Sequence, residues 1–184
     1  MVQWKNKLKY YCADHPIKAR ITRRRKFCMR ISFDLDDTLF VAEEDGFAVE
    51  PPLRFPLNRL FQERLRKGTP ELMRRLREAG WEIWIYTTSF RSPFYIRSLF
   101  RHYGIPIDEI VNGARHEREV QAEHNDPMPS KYPAHYRIDL HVDDDRSVYQ
   151  NGAYYGFRVF LIGPPDDEWV EKIMQEAMRR RLPK

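Results

Sequence analysis

A short apolar strand that runs directly into carboxylates constrains this chain more than any other feature: Met29-Arg-Ile-Ser-Phe33 leads into Asp34-Leu-Asp36-Asp37-Thr38. Residues 30–33 read as a buried strand, and carboxylates so close together repel one another unless something answers their charge. The pattern recurs along the chain. Trp81-Glu-Ile-Trp-Ile-Tyr86 is a second strand and ends at Thr87; residues 138–142 are a fourth and end at Asp143-Asp144-Asp145. Residues 108–112 and 157–162 supply a third and a fifth strand. In the second, Trp81 and Trp84 with Ile83 and Ile85 suggest burial on both faces, as in a parallel sheet.

Helical patterns lie between the strands. Thr69-Pro70 opens a helix over 69–79, with Leu72, Met73 and Leu76 on one face and Ala79-Gly80 at its end. Ser92-Pro93 opens a second, roughly 93–103, and 166–181 is a terminal helix. Residues 38–50, turning at Glu43-Glu44-Asp45-Gly46, carry a hairpin signal, and Pro51, Pro52 and Pro56 then break regular structure. Residues 113–136 are polar and without clear period, and read as a long loop. Alternating strands and helices imply an α/β fold, a three-layer Rossmann-like parallel sheet whose ligand crevice lies beyond the carboxyl ends of the strands. That rule gathers Asp34–Thr38, Thr87–Ser89 and Asp143–Asp145 into one place.

Those residues suit phosphoryl chemistry. A hard divalent cation, Mg²⁺, takes oxygen ligands, and Asp34, Asp144 and a backbone carbonyl near Asp36 are the protein's candidates. A carboxylate nucleophile splits ester hydrolysis into two steps through an acyl phosphate, and a second carboxylate serves as acid and base. Thr87 offers a hydroxyl to the phosphate, and Lys131, in Ser-Lys-Tyr-Pro ahead of the fourth strand, offers a cation. His116 and His124, in the loop with Arg115 and Arg118, read as surface residues.

Phe33-Asp34-Leu35-Asp36-Asp37-Thr38-Leu39 resembles the first motif of the haloacid dehalogenase superfamily, Asp-x-Asp-x-Thr after a hydrophobic strand. Ile85-Tyr86-Thr87 resembles its second motif, Lys131 stands where the third belongs, and Val142-Asp143-Asp144 resembles the fourth. The similarity spans residues 30–163. It implies that Asp34 is the nucleophile, Asp36 the general acid/base, and Thr87 and Lys131 the phosphate ligands. Asp34, Asp36 and Asp144 would hold Mg²⁺, with Asp143 or Asp145 in support; alignment on Gly152 favours Asp144 as the ligand. Asp at position 36 points to a phosphatase rather than a dehalogenase. Lys67-Gly-Thr-Pro70 with Trp84 to Ser89 is also similar to small C-terminal-domain phosphatases, and Asp143-Asp-Asp-Arg146 to polynucleotide 3′-phosphatases. The intervals between Thr38 and Thr87 and between Ser89 and Lys131 leave no room for a sizeable cap domain, which implies an open site and a phosphorylated substrate that can be macromolecular.

Charge divides the chain unevenly. Residues 1–28 hold nine basic side chains and one acid, whereas 29–184 hold 23 basic and 26 acidic ones, a net of −3. The expectation is a flexible basic arm over 1–28 and a catalytic domain over 29–184. The arm makes nucleic acid the alternative partner, as a polynucleotide-end phosphatase or binder. Cys12, His15 and Cys28 are too scattered to argue for zinc. No stretch reaches the roughly 20 apolar residues of a membrane span, and two cysteines form no disulfide framework, so a cytoplasmic protein is expected.

Overall fold

The computed structural model describes residues 29–181, so the expected arm over 1–28 lies outside the described residues. Five strands form one sheet: β1 (Met29–Phe33), β2 (Trp81–Tyr86), β3 (Glu109–Val111), β4 (Leu140–Asp143) and β5 (Val159–Leu161). Their order is β3-β2-β1-β4-β5 and every pairing is parallel. Five helices alternate with them: α1 (Thr69–Glu78), α2 (Pro93–His102), α3 (Gly113–Glu119), α4 (Arg146–Tyr155) and α5 (Trp169–Arg181). The architecture is the Rossmann-like α/β sheet that the alternating pattern predicts.

Alternation along each strand divides the core between the two faces. On one face Ile31, Phe33, Ile83, Ile85, Leu140 and Val142 pack with the apolar stripes of α1, α2 and α5, which supply Leu72, Leu76, Leu99, Phe100 and Ile173. On the other, Trp84 and Tyr86 join Val111, Val120, Tyr136 and Ile138. Both faces of β2 are therefore covered, as its two tryptophans suggest.

The structure corrects several sequence-based expectations. Residues 38–50 form no hairpin. Glu43–Asp45 curl into a 3-10 turn closed by Gly46 at φ 82°, and Phe40 and Val49 bridge instead to Leu65 and Arg66. Thr69 does not cap α1; Gly68 holds the N-cap position, and Thr69 lies inside the helix with its hydroxyl donated to the Arg66 carbonyl at 2.6 Å. The loop expected over 113–136 contains α3, capped by the Asn112 side chain, and two 3-10 turns. The fourth strand runs over 140–143, so Asp143 is its last residue, and α4 fills a stretch for which the periodicity gave no helix. Gly152 lets α4 approach β5, because a Cβ there would meet the Phe157 carbonyl at 2.8 Å. Between Leu39 and Gly68 only 3-10 turns and isolated bridges occur, so no cap domain covers the sheet end. Among the described residues no helix is long and apolar enough to cross a membrane.

Candidate active site

The central strand delivers Asp34. Its N–H continues the ladder to the Val142 carbonyl at 2.9 Å, which fixes Asp34 beside the end of β4. Beyond it the chain turns sharply. Asp37 takes a left-handed φ of 58°, a conformation that Asp tolerates better than most side chains. The turn is closed by Leu39 N–H to the Leu35 carbonyl, 2.9 Å, and returns Thr38 to the sheet end, fully buried. Thr38 Oγ1 donates to Asp144 Oδ1 at 2.9 Å.

Carboxylate oxygens of Asp34, Asp143 and Asp144 lie within 4.8 Å of one another. The three acids differ in what else they touch. Asp143 is fully buried and committed: Oδ2 meets Lys131 Nζ at 2.6 Å and His141 Nε2 at 2.7 Å, and Oδ1 accepts the Asp145 N–H. Burial pushes its pKa up, but His141 and Lys131 outweigh that and hold it well below the usual carboxylate range. Asp144 is half-buried, with its Oδ1 tied only to Thr38. Asp145 lies outside the cluster and caps α4, accepting the Ser147 N–H at 2.7 Å.

Asp34 is 7 % exposed, and its Oδ1 has no hydrogen-bond partner among the described residues. Lys131 Nζ stands 2.9 Å away, close enough for an ion pair but outside hydrogen-bonding angles. Burial raises the Asp34 pKa to about 6, with Lys131 opposing and Asp143 adding to the shift. Three carboxylates this close together, with one lysine shared by two of them, fit a hard divalent cation such as Mg²⁺, which takes oxygen ligands.

Lys131 is buried, and the loop that carries it is pinned by the second strand. The Tyr86 hydroxyl accepts the Tyr132 N–H at 2.8 Å and bonds His116 Nδ1 at 2.6 Å. His116 is thus a buried support for the lysine loop, not a surface residue. Thr87, 1 % exposed, follows β2 with its N–H on the Val111 carbonyl and its Oγ1 accepting the Ser89 N–H. Register sets Phe33 opposite Ile85, so Asp34 and Thr87 leave adjacent strands on the same edge.

Asp36 turns away from the carboxylate cluster, and its half-exposed side chain accepts from Arg91 Nη1 at 2.9 Å. Arg91 also binds the Ser89 hydroxyl and Glu63, and its guanidinium covers the Phe40 ring. Sequence reading missed Arg91; its place two residues after Ser89, in the loop leaving β2, was the available signal. It also missed His141, whose Nδ1 pairs with the Ser32 hydroxyl at 2.8 Å. A polar pair in register within two adjacent buried strands was the clue there.

Solved structures share this arrangement of elements. A haloacid dehalogenase-superfamily hydrolase of subfamily IA, variant 1, from Geobacter sulfurreducens PCA is 13 % identical with a TM-score of 0.52, over 82 % of this chain and 96 % of that one. A hydrolase from Streptococcus pneumoniae TIGR4 is 13 % identical with a TM-score of 0.51, over 80 % of this chain and 98 % of that one. No protein-family model and no curated protein matches the chain. At such identities the likeness speaks to architecture alone: the chain has a fold like that of these hydrolases, the first of them of the haloacid dehalogenase superfamily.

Proposed function

We propose that this protein is a Mg²⁺-dependent phosphatase that hydrolyses phosphate monoesters through an aspartyl phosphate on Asp34. The observation that supports this most directly is the state of Asp34: a buried carboxylate at the end of the central strand, ion-paired with Lys131 and within 4.8 Å of two further carboxylates. Burying several carboxylates around one lysine costs free energy, and a bound cation or phosphoryl group would offset part of it.

Each residue has a role that follows from its position. Asp34 attacks phosphorus and the ester oxygen leaves, forming an acyl phosphate. Asp36, at the mouth of the crevice, gives a proton to that oxygen and later takes one from the water that attacks the acyl phosphate, which frees inorganic phosphate and restores Asp34. Lys131 and the Thr87 hydroxyl hold the equatorial oxygens. Arg91, paired with Asp36 in the free protein, is placed to turn to an incoming phosphoryl group. Asp34, Asp144 and a backbone carbonyl near Asp36 would hold Mg²⁺, with Asp143 beside them fixing Lys131. When bound, the cation neutralises phosphoryl charge and lets the carboxylate approach.

The rim bears on the substrate. Asp36, Asp37, Glu43, Glu44, Asp45 and Glu63 surround an open hollow of about 330 Å³ in which Arg64 and Arg91 are the cations among the described residues. An acidic rim disfavours polynucleotides, whose backbone needs cations to neutralise it, and an uncapped crevice admits phosphate groups on large molecules.

Trapping tests the proposal. Borohydride added during turnover of an aryl phosphate reduces an aspartyl phosphate to homoserine, which peptide mass analysis reads at position 34. Label at any other residue, or turnover without label, sinks the covalent mechanism.

A further inference from the structure

One cavity lies away from the carboxylates, and its wall contains a buried guanidinium without an ion-pair partner among the described residues. It measures about 420 Å³, and Phe47, Arg66, Lys67, Asp166, Asp167 and Trp169 form most of its lining. Arg66 is 2 % exposed. Its guanidinium lies between two rings that also line the cavity, 4.9 Å from the Phe47 centroid and 4.8 Å from that of Trp169. Its one hydrogen bond is long, from Nη2 to the Pro164 carbonyl at 3.4 Å, and Nη1 has no partner among the described residues.

Burying a guanidinium with a single long hydrogen bond is unfavourable, and stacking on aromatic rings offsets only part of that. The nearby acids do not resolve this. Asp166 is taken by Lys172 Nζ at 2.6 Å and by the Glu168 N–H at 2.8 Å, and Asp167 is exposed at the rim. Lys67 adds an exposed cation to the same wall. Trp169 is fixed in turn, its Nε1 donating to the Lys67 carbonyl at 2.9 Å, so the two rings hold the guanidinium in a set orientation. A planar, preoriented guanidinium is suited to a bidentate oxyanion.

We propose that this cavity is a second binding site, distinct from the carboxylate crevice, for a small molecule bearing a carboxylate or phosphate group that pairs with Arg66. The site is connected to the crevice through the backbone. Arg66 N–H donates to the Leu39 carbonyl at 2.8 Å, and Leu39 follows Thr38, which holds Asp144. An occupant that draws on Arg66 therefore pulls on the turn that positions the carboxylates.

The test is binding, read independently of turnover. Full-length protein in chelator is titrated separately with inorganic phosphate and with citrate, while nitrogen NMR follows the Arg66 side chain. One or both anions should shift the Arg66 signals saturably, and Arg66→Gln should weaken that binding at least about tenfold; which anion acts identifies the phosphate or the carboxylate source. Arg66→Lys, which retains charge but not the fork, should fall between the two. Arg66 signals that neither anion moves at tens of millimolar, or binding that survives Arg66→Gln, would overturn the site and leave the guanidinium a packing element served by water. If Arg66→Gln does not fold, the wild-type titration decides alone.

Discussion

Lys131 Nζ stands 2.9 Å from Asp34 Oδ1 and 2.6 Å from Asp143 Oδ2, a buried cation shared by two carboxylates. Both attractions keep it charged against the pull of burial. Lys131→Met should thus lower aryl phosphate turnover about a hundredfold, the loss typical of one oxyanion donor. It should also lower the melting temperature, because Asp34 and Asp143 lose their shared cation. Steady-state rates and a thermal melt check both; activity within a few-fold of wild type removes Lys131 from the site.

Asp34→Asn should cut turnover at least about a thousandfold, since the amide cannot attack phosphorus. In chelator the same change should stabilise the fold. With the folded pKa near 6, above the usual carboxylate value of 3.8, the native state holds the proton more tightly than the unfolded chain. The Asp34 contribution to wild-type stability is therefore greatest below about pH 4, falls as pH rises toward about 6, and stays lower above that, by roughly 2–3 kcal/mol. Thermal melts of the two proteins should diverge across that window and run parallel above it. A constant gap would mean that Asp34 does not titrate there.

Asp144 and Asp145 are adjacent but separable. Asp144→Ala should raise the Mg²⁺ concentration needed for half-maximal activity by an order of magnitude or more. Asp145→Ala should leave that requirement unchanged and cost about 1 kcal/mol of stability, the usual value of a lost N-cap. Metal titrations and denaturant melts on both variants distinguish them, and the opposite result assigns the metal to Asp145.

Much of this was legible in the sequence because strands and site acids share one local signal, an apolar run that stops at a polar residue. The failures were of another kind. α3 is seven residues of mostly polar sequence, too short to show a period, although Asn112 is a recognisable cap. The expected hairpin failed because the partners of Phe40 and Val49 come from Leu65 and Arg66, and such nonlocal pairs leave no trace at short range. Lys131 could be proposed from its position, but its pose depends on a tyrosine hydroxyl and a backbone N–H brought together only by folding. Arg91 and His141 matter through partners on other elements, which no local pattern encodes.

The buried chain Ser32–His141–Asp143 offers a check on the support behind the site. Burial depresses the His141 pKa, and the ring bridges the Ser32 hydroxyl through Nδ1 and the Asp143 carboxylate through Nε2. His141→Phe keeps the ring volume and leaves Ser32 and Asp143 each short of a partner. It should destabilise the protein by about 2–4 kcal/mol and reduce turnover, as Lys131 loses a fixed anchor. Urea melts and rates measured together test this; an unchanged midpoint would show that the cavity admits water in place of the imidazole.

The central position of β1 also governs where the molecule can breathe. Asp34, Thr87 and Asp143 sit at the ends of three adjacent, fully paired strands, whose amides exchange only when the core itself opens. Residues 42–63, where no residue is buried and 3-10 turns are the regular elements, lie toward the low-stability end of the same protein. In the proposed reaction the rim would yield to a phosphorylated substrate by local fluctuation while the reacting atoms keep their spacing, so access and chemistry would sit in separate cooperative units.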